Sequence, residues 1–491
     1  MEELKEVKKS LLKNYIFLFL ADFLSKIFEF IFLIIIVRIL SKNGFGIYSY
    51  WLSLSSIIVF IIDFGAGNLI IKEIAIDPEK SNTYFINVLL IKILLSLAFI
   101  LISFILIFII FDDQTFLYVG YIVIISLIIR VFIFQLFFSI FRAHERMVYQ
   151  ALGIIINSFS KLGLIFLLLY NNNFNVIHVS IFDLISNLIT LFFCIFMLYQ
   201  YFFIPKFEIN KSFWINLFKR SIYFGLIPII IHGINWFDTT ILLLYKGEEA
   251  VAIYNAALKL IQPLLIISVV ASSAIFPILS RYYNKSLKIF NLIFSRYLKY
   301  LLLLALPLGL FCSLYSEEII KILFGSEYSE SSIPLQFLAW YTVLIIIYGN
   351  FRKYFESSRK QKFLVVTAFL CMILNIILNF FLVDIFSYIG TSLSKLISMF
   401  IFVLILCMKT KKDIGNKKDQ EFNWIGKIVI SFFILAFISI ITKYYFVHDL
   451  NLFWIIISLS ISLSFYLISI ILLKIIDFEE LKTLIYIKKN K

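Results

Sequence analysis

Long apolar runs separated by short polar connections dominate the pattern of this chain. The first run, residues 14–40, holds about 27 residues, which at ~1.5 Å per residue can cross a ~30 Å hydrocarbon core. Similar runs recur to the C-terminus, and the pattern predicts an all-α integral membrane protein with about fourteen spans. Pro263 and Pro277 are expected to bend the long run 250–279. The predicted spans are 14–40, 45–71, 84–111, 116–141, 147–170, 174–203, 222–245, 250–279, 294–315, 333–351, 363–383, 388–408, 424–446 and 452–475.

Three charged side chains interrupt the first run. Asp22, Lys26 and Glu29 are spaced by four and three residues, so they project from one face of the predicted helix. A charge in the middle of a membrane normally faces a protein interior or a water-filled cavity. The first helix is therefore predicted to line a polar space.

The composition fits a membrane protein and excludes other classes. Hydrophobic residues make up 62% of the 491 residues, charged residues only 15%, and the mean hydropathy is +1.00. A soluble chain of this length could not bury so much apolar surface. The net charge of +14 is typical of cytoplasmic loops rich in Lys and Arg, so it does not indicate a nucleic-acid partner.

The distribution of basic residues predicts the orientation. If the N-terminus is cytoplasmic, the inner segments hold 32 of the 44 Lys and Arg residues. The outer connections then hold only Lys42, Lys246 and Lys321. This asymmetry follows the positive-inside rule and fits an even number of spans, so both termini are expected in the cytoplasm.

Nine basic residues remain within the predicted spans. Lys427 and Lys443 lie near helix ends, where long side chains can reach the interface, and Arg38 lies near the outer end of the first span. Lys26, Arg130, Lys161 and Lys395 fall near the estimated midplane of four helices, as does His232 on a fifth; Lys92 and Lys259 complete the set. The acids within spans are Asp22, Glu29, Asp63, Asp183 and Asp238.

These intramembrane charges allow two interpretations. In the first, each base pairs with an acid and fixes helix packing. In the second, the bases meet in a cavity whose cationic middle selects an anion, because Arg and Lys in a low-dielectric wall suit phosphate. Asp22 and Glu29 are partners of Lys26 in the first interpretation, and one of them carries a proton or sodium ion in the second.

A short internal repeat divides the chain into halves. Residues 45–48 read Phe-Gly-Ile-Tyr and residues 251–254 read Val-Ala-Ile-Tyr, an offset of 206 residues that also maps Lys26 onto His232. Repeated halves with a substrate site between them are a recurring transporter plan. We therefore expect an N-lobe over 1–205, a C-lobe over 206–410, and peripheral helices 13 and 14 with a cytoplasmic tail over 411–491.

The sequence has no signature of catalysis or of a metal site. It contains no Gly-rich phosphate loop, no His-rich metal box and no nucleophile elbow. Its four cysteines lie in apolar runs without metal-ligand spacing, so neither a disulfide nor a metal centre is predicted. We expect a transporter and not an enzyme, with no cofactor apart from an H⁺ or Na⁺ ion if transport is ion-coupled.

Five short stretches stand out by their order and spacing. They read RILSKNGFGIY over 38–48, DFG over 63–65, FRAHER over 141–146, Asp238 followed by KGEEAVAIY over 246–254, and NIILN over 375–379 followed by Gly390. Together they resemble the Wzx-type lipid-linked oligosaccharide flippases, the polysaccharide branch of the multidrug/oligosaccharidyl-lipid/polysaccharide (MOP) exporter superfamily. The likeness runs over most of residues 10–410. One departure is the outer stretch 382–390, often proline-containing in that family, which here holds Asp384 and no proline.

The resemblance implies a MATE-like fold with two six-helix lobes around a V-shaped central cavity, plus two peripheral helices. It also implies translocation of undecaprenyl-diphosphate-linked oligosaccharide repeat units, such as those of O-antigen, from the cytoplasmic to the outer leaflet of the inner membrane. The implied partners are this lipid-linked oligosaccharide, membrane lipids, and the polysaccharide polymerase and chain-length machinery.

The charge pattern and the resemblance together give a candidate site and its alternatives. The expected substrate-binding residues of the cationic cavity are Lys26, Arg130, Lys161, Lys259, Lys395 and His232, and the ion-coupling candidates are Asp22, Glu29, Asp63 and Asp238. A lipid II flippase and a drug/cation antiporter share the fold, but the antiporter needs an acid-dominated cavity. A membrane polysaccharide polymerase or glycosyltransferase needs a catalytic loop or domain outside the bilayer, for which the short connections leave little room.

Overall fold

The computed structural model of the chain describes residues 2–110, 113–169, 175–414, 424–446 and 452–476. Within these ranges the secondary structure is helical and includes no β-strand. The helices are α1 (Glu2–Ile39), α2 (Lys42–Asp63), α3 (Ala66–Ile76), α4 (Ser81–Ile110), α5 (Gln114–Val131), α6 (Phe138–Ala143), α7 (Met147–Leu169), α8 (Val176–Tyr201), α9 (Lys211–Ile261), α10 (Ile266–Lys285), α11 (Leu287–Leu314), α12 (Ser316–Phe324), α13 (Ser332–Ser357), α14 (Gln361–Ile414), α15 (Trp424–Phe446) and α16 (Leu452–Leu472).

Polar side chains mark the start of several helices. At α2 the Ser41 hydroxyl accepts a hydrogen bond from the Gly44 amide at 3.2 Å, and at α5 the Asp113 carboxylate accepts one from the Thr115 amide at 2.9 Å. Such acceptors satisfy amides that have no partner within the first helical turn. The apolar runs between these caps hold few polar side chains that could compete for the backbone hydrogen bonds of the helix. They therefore continue as long helices.

The number of spans agrees with the prediction from hydropathy. Eleven stretches of the described residues are long and apolar enough to cross a membrane. Two of them each hold two predicted spans, because α9 breaks at Gly247 and α14 breaks at Ser387. With α1 as the first span, the described part of the chain is consistent with about fourteen.

Two of the predicted spans contain non-helical or 3₁₀ residues. The predicted span 45–71 is broken between α2 and α3, where Phe64 has φ of 40° and Gly65 has φ of 84°. The run 250–279 is interrupted at a 3₁₀ turn, Gln262–Leu265, which contains Pro263 as expected. At Pro277, where a bend was expected, the helix does not end: α10 continues through this residue.

The chain forms two compact units, Met1–Asn255 and Ala256–Lys491. In the first unit, α7 packs on α1 and α8, and α5 packs on α2 and α8. In the second unit, α13 packs on α10, α11 and α14, while α15 packs on α16 and α11. The lobe boundaries at 205 and 410, which were drawn from the internal repeat, stay a prediction.

A buried ion pair fixes the break in the second span. Lys92 Nζ on α4 lies 2.7 Å from Asp63 Oδ1 at the end of α2, and the Lys92 side chain is 0% exposed. The Gly67 amide, in the first turn of α3, donates to the same oxygen at 3.3 Å. Gly65 supplies the positive φ that residues with a side chain rarely adopt. The DFG stretch therefore forms a helix break that is held from a neighbouring helix.

Hydroxyl groups join the last two helices to the second unit. The hydroxyls of Tyr315 and Ser458 lie 2.5 Å apart, and the Tyr466 hydroxyl donates to the Leu303 carbonyl at 3.0 Å. Polar side chains that bond across helices are a common means of helix association in membranes. The α15–α16 pair is thus tied to α11 by hydrogen bonds as well as by apolar packing.

Replacement of Lys92 by Met is expected to destabilise the first unit strongly. It leaves Asp63 as a buried charge without a partner, which costs roughly 3–5 kcal/mol of unfolding free energy. The double variant Asp63→Asn/Lys92→Met should recover much of this loss. Denaturant unfolding in detergent micelles measures the stability of the single and the double variant. Lys26→Met, which breaks an exposed pair, is the control. A Lys92→Met protein as stable as the parent would contradict the ion-pair interpretation.

Candidate functional site

The three charges of the first span lie on an exposed face of α1. Lys26 Nζ is 2.7 Å from Glu29 Oε2, with side chains 55% and 38% exposed, so the expected pairing of these two residues is present. Asp22 is exposed, and it makes no ion pair within 4.0 Å among the described side chains. Because hydrocarbon accommodates charges poorly, we expect this face to border water or a polar ligand.

Lys161 has a carboxylate partner on a neighbouring helix. Its ammonium on α7 pairs with Asp183 Oδ1 on α8 and lies 4.5 Å from the centroid of the Phe32 ring. The second Asp183 oxygen accepts a hydrogen bond from the Ser126 hydroxyl of α5 at 2.8 Å. The Lys161 charge is therefore balanced by a buried network that ties three helices together, as in the ion-pairing interpretation.

Two amides extend this network and were missed by reasoning from the sequence. The Asn157 amide donates to the Asn187 Oδ1 at 2.9 Å, and the Asn187 amide donates to the Ser126 hydroxyl at 2.8 Å. All three residues are buried. Asp183 and Asn187 stand four residues apart on α8, so one polar helix face was the signal that could have identified them.

Arg130 differs from both lysines in its surroundings. No carboxylate oxygen of the described residues lies within 4.0 Å of its guanidinium, which sits 5.0 Å from the Phe134 ring centroid. Phe134 belongs to a π-helical turn, Phe132–Phe137, a rare geometry that is frequent at functional sites. Because no carboxylate of the described chain contacts the Arg130 guanidinium within 4.0 Å, its hydrogen-bond donors are available to a ligand.

Five of these groups form one cluster in the first unit, which we call the Arg130 cluster: Lys26, Glu29, Arg130, Lys161 and Asp183. Glu29 interacts electrostatically with all three bases, and Asp183 does so with Arg130 and Lys161. Three bases against two acids leave an excess of one positive charge, which attracts anions in a low-dielectric surrounding. The structure thus brings together three of the six predicted substrate-binding residues.

A second group of charges in the first unit is balanced. Asp63 pairs with Lys92, and Arg142 interacts electrostatically with both Asp22 and Asp63. Asp22 also interacts with Lys26 and Glu29, so it links this group to the Arg130 cluster. Its two acids balance its two bases, so the two groups together hold five bases against four acids and keep an excess of one positive charge. A proton or sodium ion at Asp63 would have to displace the Lys92 ammonium. Lys92 itself was not among the predicted site residues.

His232 and Asp238 both lie on α9. The His232 ring stacks on the Phe60 ring of α2, with centroids 4.3 Å apart. Asp238 is 0% exposed and accepts a hydrogen bond from the Tyr254 hydroxyl at 3.3 Å. His232 is thus packed against an aromatic ring, and Asp238 contacts the Ile-Tyr repeat of the second half.

Lys259 and Lys395 belong to the second unit. Lys259 lies half-buried in the last turn of α9. Lys395 on α14 is 1% exposed, and its Nζ is 5.4 Å from the Tyr341 ring centroid. The substrate-binding role predicted for these two lysines stays a prediction.

Comparison with known families and proteins identifies relatives of the chain. The family model of the polysaccharide biosynthesis proteins matches residues 11–283, and the MatE model matches residues 226–381. The probable low-salt glycan biosynthesis flippase Agl15 of Haloferax volcanii is 23% identical over 233 residues, which are 47% of this chain and 48% of that protein. The match therefore spans about half the length of this curated relative.

Solved structures confirm the predicted MATE-like fold class. The lipid II flippase MurJ in an inward closed conformation superposes with a TM-score of 0.76 at 18% identity, covering 92% of this chain and 98% of that one. An inward-facing multidrug resistance MATE family transporter of the MOP superfamily gives 0.68 at 13% identity, over 80% of this chain and 96% of that one. At these identities the likeness establishes the fold.

Arg130→Gln and Lys161→Gln should differ in their effect on stability. Lys161→Gln leaves the buried Asp183 carboxylate without its ammonium partner, so it should lower the thermal unfolding midpoint. Arg130→Gln removes no ion pair and should leave the midpoint near that of the parent. Thermal unfolding in detergent compares the two. Equal destabilisation by both substitutions would show that Arg130 is also a structural charge.

Proposed function

Because the chain belongs to the polysaccharide biosynthesis protein family, we propose that it is a flippase for undecaprenyl-diphosphate-linked oligosaccharide repeat units. The observation that carries the proposal is the positive excess of the Arg130 cluster, with an arginine that no carboxylate of the described residues contacts within 4.0 Å. A planar guanidinium presents paired donors that match phosphate oxygens, so it suits a diphosphate better than an ammonium does. Agl15 is named as a glycan biosynthesis flippase, which supports the same class of cargo.

Transport follows from alternating access in this proposal. The diphosphate and sugar head move into a cationic cavity from the cytoplasmic leaflet, while the polyprenyl tail stays in lipid. Arg130 holds the phosphates, and Lys26 contributes charge beside them. The lobes then rock, as in other repeat-built transporters, and the head leaves towards the outer leaflet.

The membrane potential can supply the driving force. Moving two negative charges out of an inside-negative cell at ~150 mV releases about 7 kcal/mol, from ~2.3 kcal/mol per charge per 100 mV. Coupling to H⁺ or Na⁺ is therefore not required electrically. Of the four ion-coupling candidates, Glu29 and Asp63 already hold an ammonium, so Asp22 is the carboxylate in the first span best placed to bind such an ion.

The proposed location is the cytoplasmic membrane, with both termini inside. The polysaccharide polymerase and chain-length machinery would receive the flipped unit at the outer leaflet. A drug/cation antiporter is disfavoured, because the excess charge of the Arg130 cluster repels cations. A lipid II flippase is the alternative that the charge pattern leaves open, and the choice of cargo in a transport assay decides between them.

The test is a flipping assay in proteoliposomes with undecaprenyl-diphosphate-linked oligosaccharide and with lipid II as cargoes. Arg130→Ala should lower the rate about tenfold or more, because a hydrogen-bonded charge contributes roughly 1.5–3 kcal/mol, and Lys26→Ala should lower it less. Lys427→Ala, at the exposed start of α15, is the matched control and should transport normally. Full transport by both Arg130→Ala and Lys26→Ala would remove the cationic-cavity proposal, and faster transport of lipid II would reassign the cargo.

A further inference from the structure

The first turns of α9 pack against the broken second span and against α4. Leu217 is 2% exposed and belongs to the same hydrophobic cluster as Phe64 and Tyr84. The rings of Phe218 and Phe64 lie 5.3 Å apart. A Cβ on Gly225 would lie 2.9 Å from the Phe64 carbonyl carbon, so only glycine allows this close approach of α9 to the break. The inner end of α9 is therefore fitted to the break between α2 and α3.

Two asparagines fasten the segment that leads into α9. The Asn82 amide group exchanges two hydrogen bonds with the backbone of Lys206, at 3.0 and 2.8 Å. The Asn87 oxygen accepts from the Asn210 amide at 2.9 Å and from the Trp214 indole at 2.8 Å. Both asparagines are on α4, so the irregular segment has its backbone groups satisfied by side chains of the first unit. Non-helical backbone near a membrane needs such partners.

An ion pair completes this contact at the end of α3. The Arg220 guanidinium on α9 pairs with Glu73 Oε1, and the Tyr84 hydroxyl donates to Glu73 Oε2 at 3.3 Å. The Arg220 side chain is 51% exposed, whereas that of Glu73 is 17% exposed. Lys72 and Lys219, the neighbours of these two residues in the sequence, are also exposed. An anion that approaches this surface therefore meets an accessible guanidinium with further positive charge beside it.

We propose that Glu73 and Arg220 form an inner latch, which an anionic lipid headgroup opens by replacing Glu73 at Arg220. The inference rests on the proposed function for its cargo, but its geometry rests on the contacts of α9 alone. Most of the contact consists of apolar packing by Leu217 and Phe218, the close approach at Gly225 and the hydrogen bonds of two asparagines, and the ion pair supplements it. The ion pair is the accessible component, and exposed ion pairs are weak enough for a doubly charged phosphate to compete.

The latch also assigns a specificity role to Arg220. A diphosphate presents several acceptor oxygens to the guanidinium fork, whereas the carboxylate of Glu73 presents two. Exchange of partners frees Glu73 next to Lys72 and leaves Arg220 on the headgroup. Binding of the cargo headgroup to Arg220 therefore also releases the inner end of α9. An uncharged polyprenol would not cause this release.

Distance measurements between spin labels test the latch directly. Labels at Ile76→Cys on α3 and Ile215→Cys on α9 occupy exposed positions on its two sides, in a protein whose four native cysteines are replaced by alanine. In nanodiscs, Arg220→Gln and Glu73→Gln should each raise the fraction of molecules at a distance longer by roughly one helical turn, about 5 Å, because loss of a weak exposed pair shifts the population. The exchanged pair Glu73→Arg/Arg220→Glu should restore the short distance. Asp77→Asn, which breaks an exposed pair within one loop, is the matched control and should change nothing.

Addition of lipid to the unsubstituted latch tests the trigger. Undecaprenyl diphosphate should lengthen the distance, whereas undecaprenol should leave it unchanged. Unchanged distances in both Arg220→Gln and Glu73→Gln, or no recovery in the exchanged pair, would overturn the latch even if flipping is intact. A latch that opens in the charge variants but ignores undecaprenyl diphosphate would overturn the headgroup trigger. The cargo proposal is tested separately, by the flipping rate of Arg130→Ala.

Discussion

Compensation of charges inside the membrane is the constraint on which the rest of this structure depends. In the first unit, three lysines within spans each have a carboxylate: Glu29 for Lys26, Asp63 for Lys92, and Asp183 for Lys161. Two of these pairs join different helices and so contribute to the fold itself. Arg130 is the positive charge in excess over these three carboxylates. Because an uncompensated charge inside a membrane is energetically unfavourable, Arg130 is a candidate functional residue.

The same constraint governs the places where helices are interrupted. At the break after α2 the Asp63 carboxylate accepts a hydrogen bond from the Gly67 amide, and Lys92 of α4 balances its charge. Asn82 and Asn87 of the same helix bond backbone groups of the segment before α9. One helix therefore supports two irregular segments, and these meet where α9 packs on Phe64. A break that is held by neighbouring side chains provides a defined site for movement, because its conformation depends on contacts that can be exchanged.

How much could be read from the sequence depends on the range of the interaction. The spans follow from local hydropathy, and the Lys26–Glu29 pair follows from a spacing of three residues on one helix. The partners of Lys92 and Lys161 could not be predicted, because they depend on the relative rotation and depth of separate helices, which hydropathy does not determine. Asp183 stood in the sequence as one acid among several, and only the packing of α7 on α8 shows that it neutralises Lys161 and leaves Arg130 as the excess charge.

The central claim is that this excess positive charge recognises a lipid diphosphate. Equilibrium binding of undecaprenyl diphosphate and of undecaprenol to the purified protein in nanodiscs tests it most directly. The account predicts that the parent protein prefers the diphosphate by about tenfold or more, and that Arg130→Ala loses most of this preference while its affinity for undecaprenol is unchanged. An equal preference for the diphosphate in the parent and in Arg130→Ala would contradict the account.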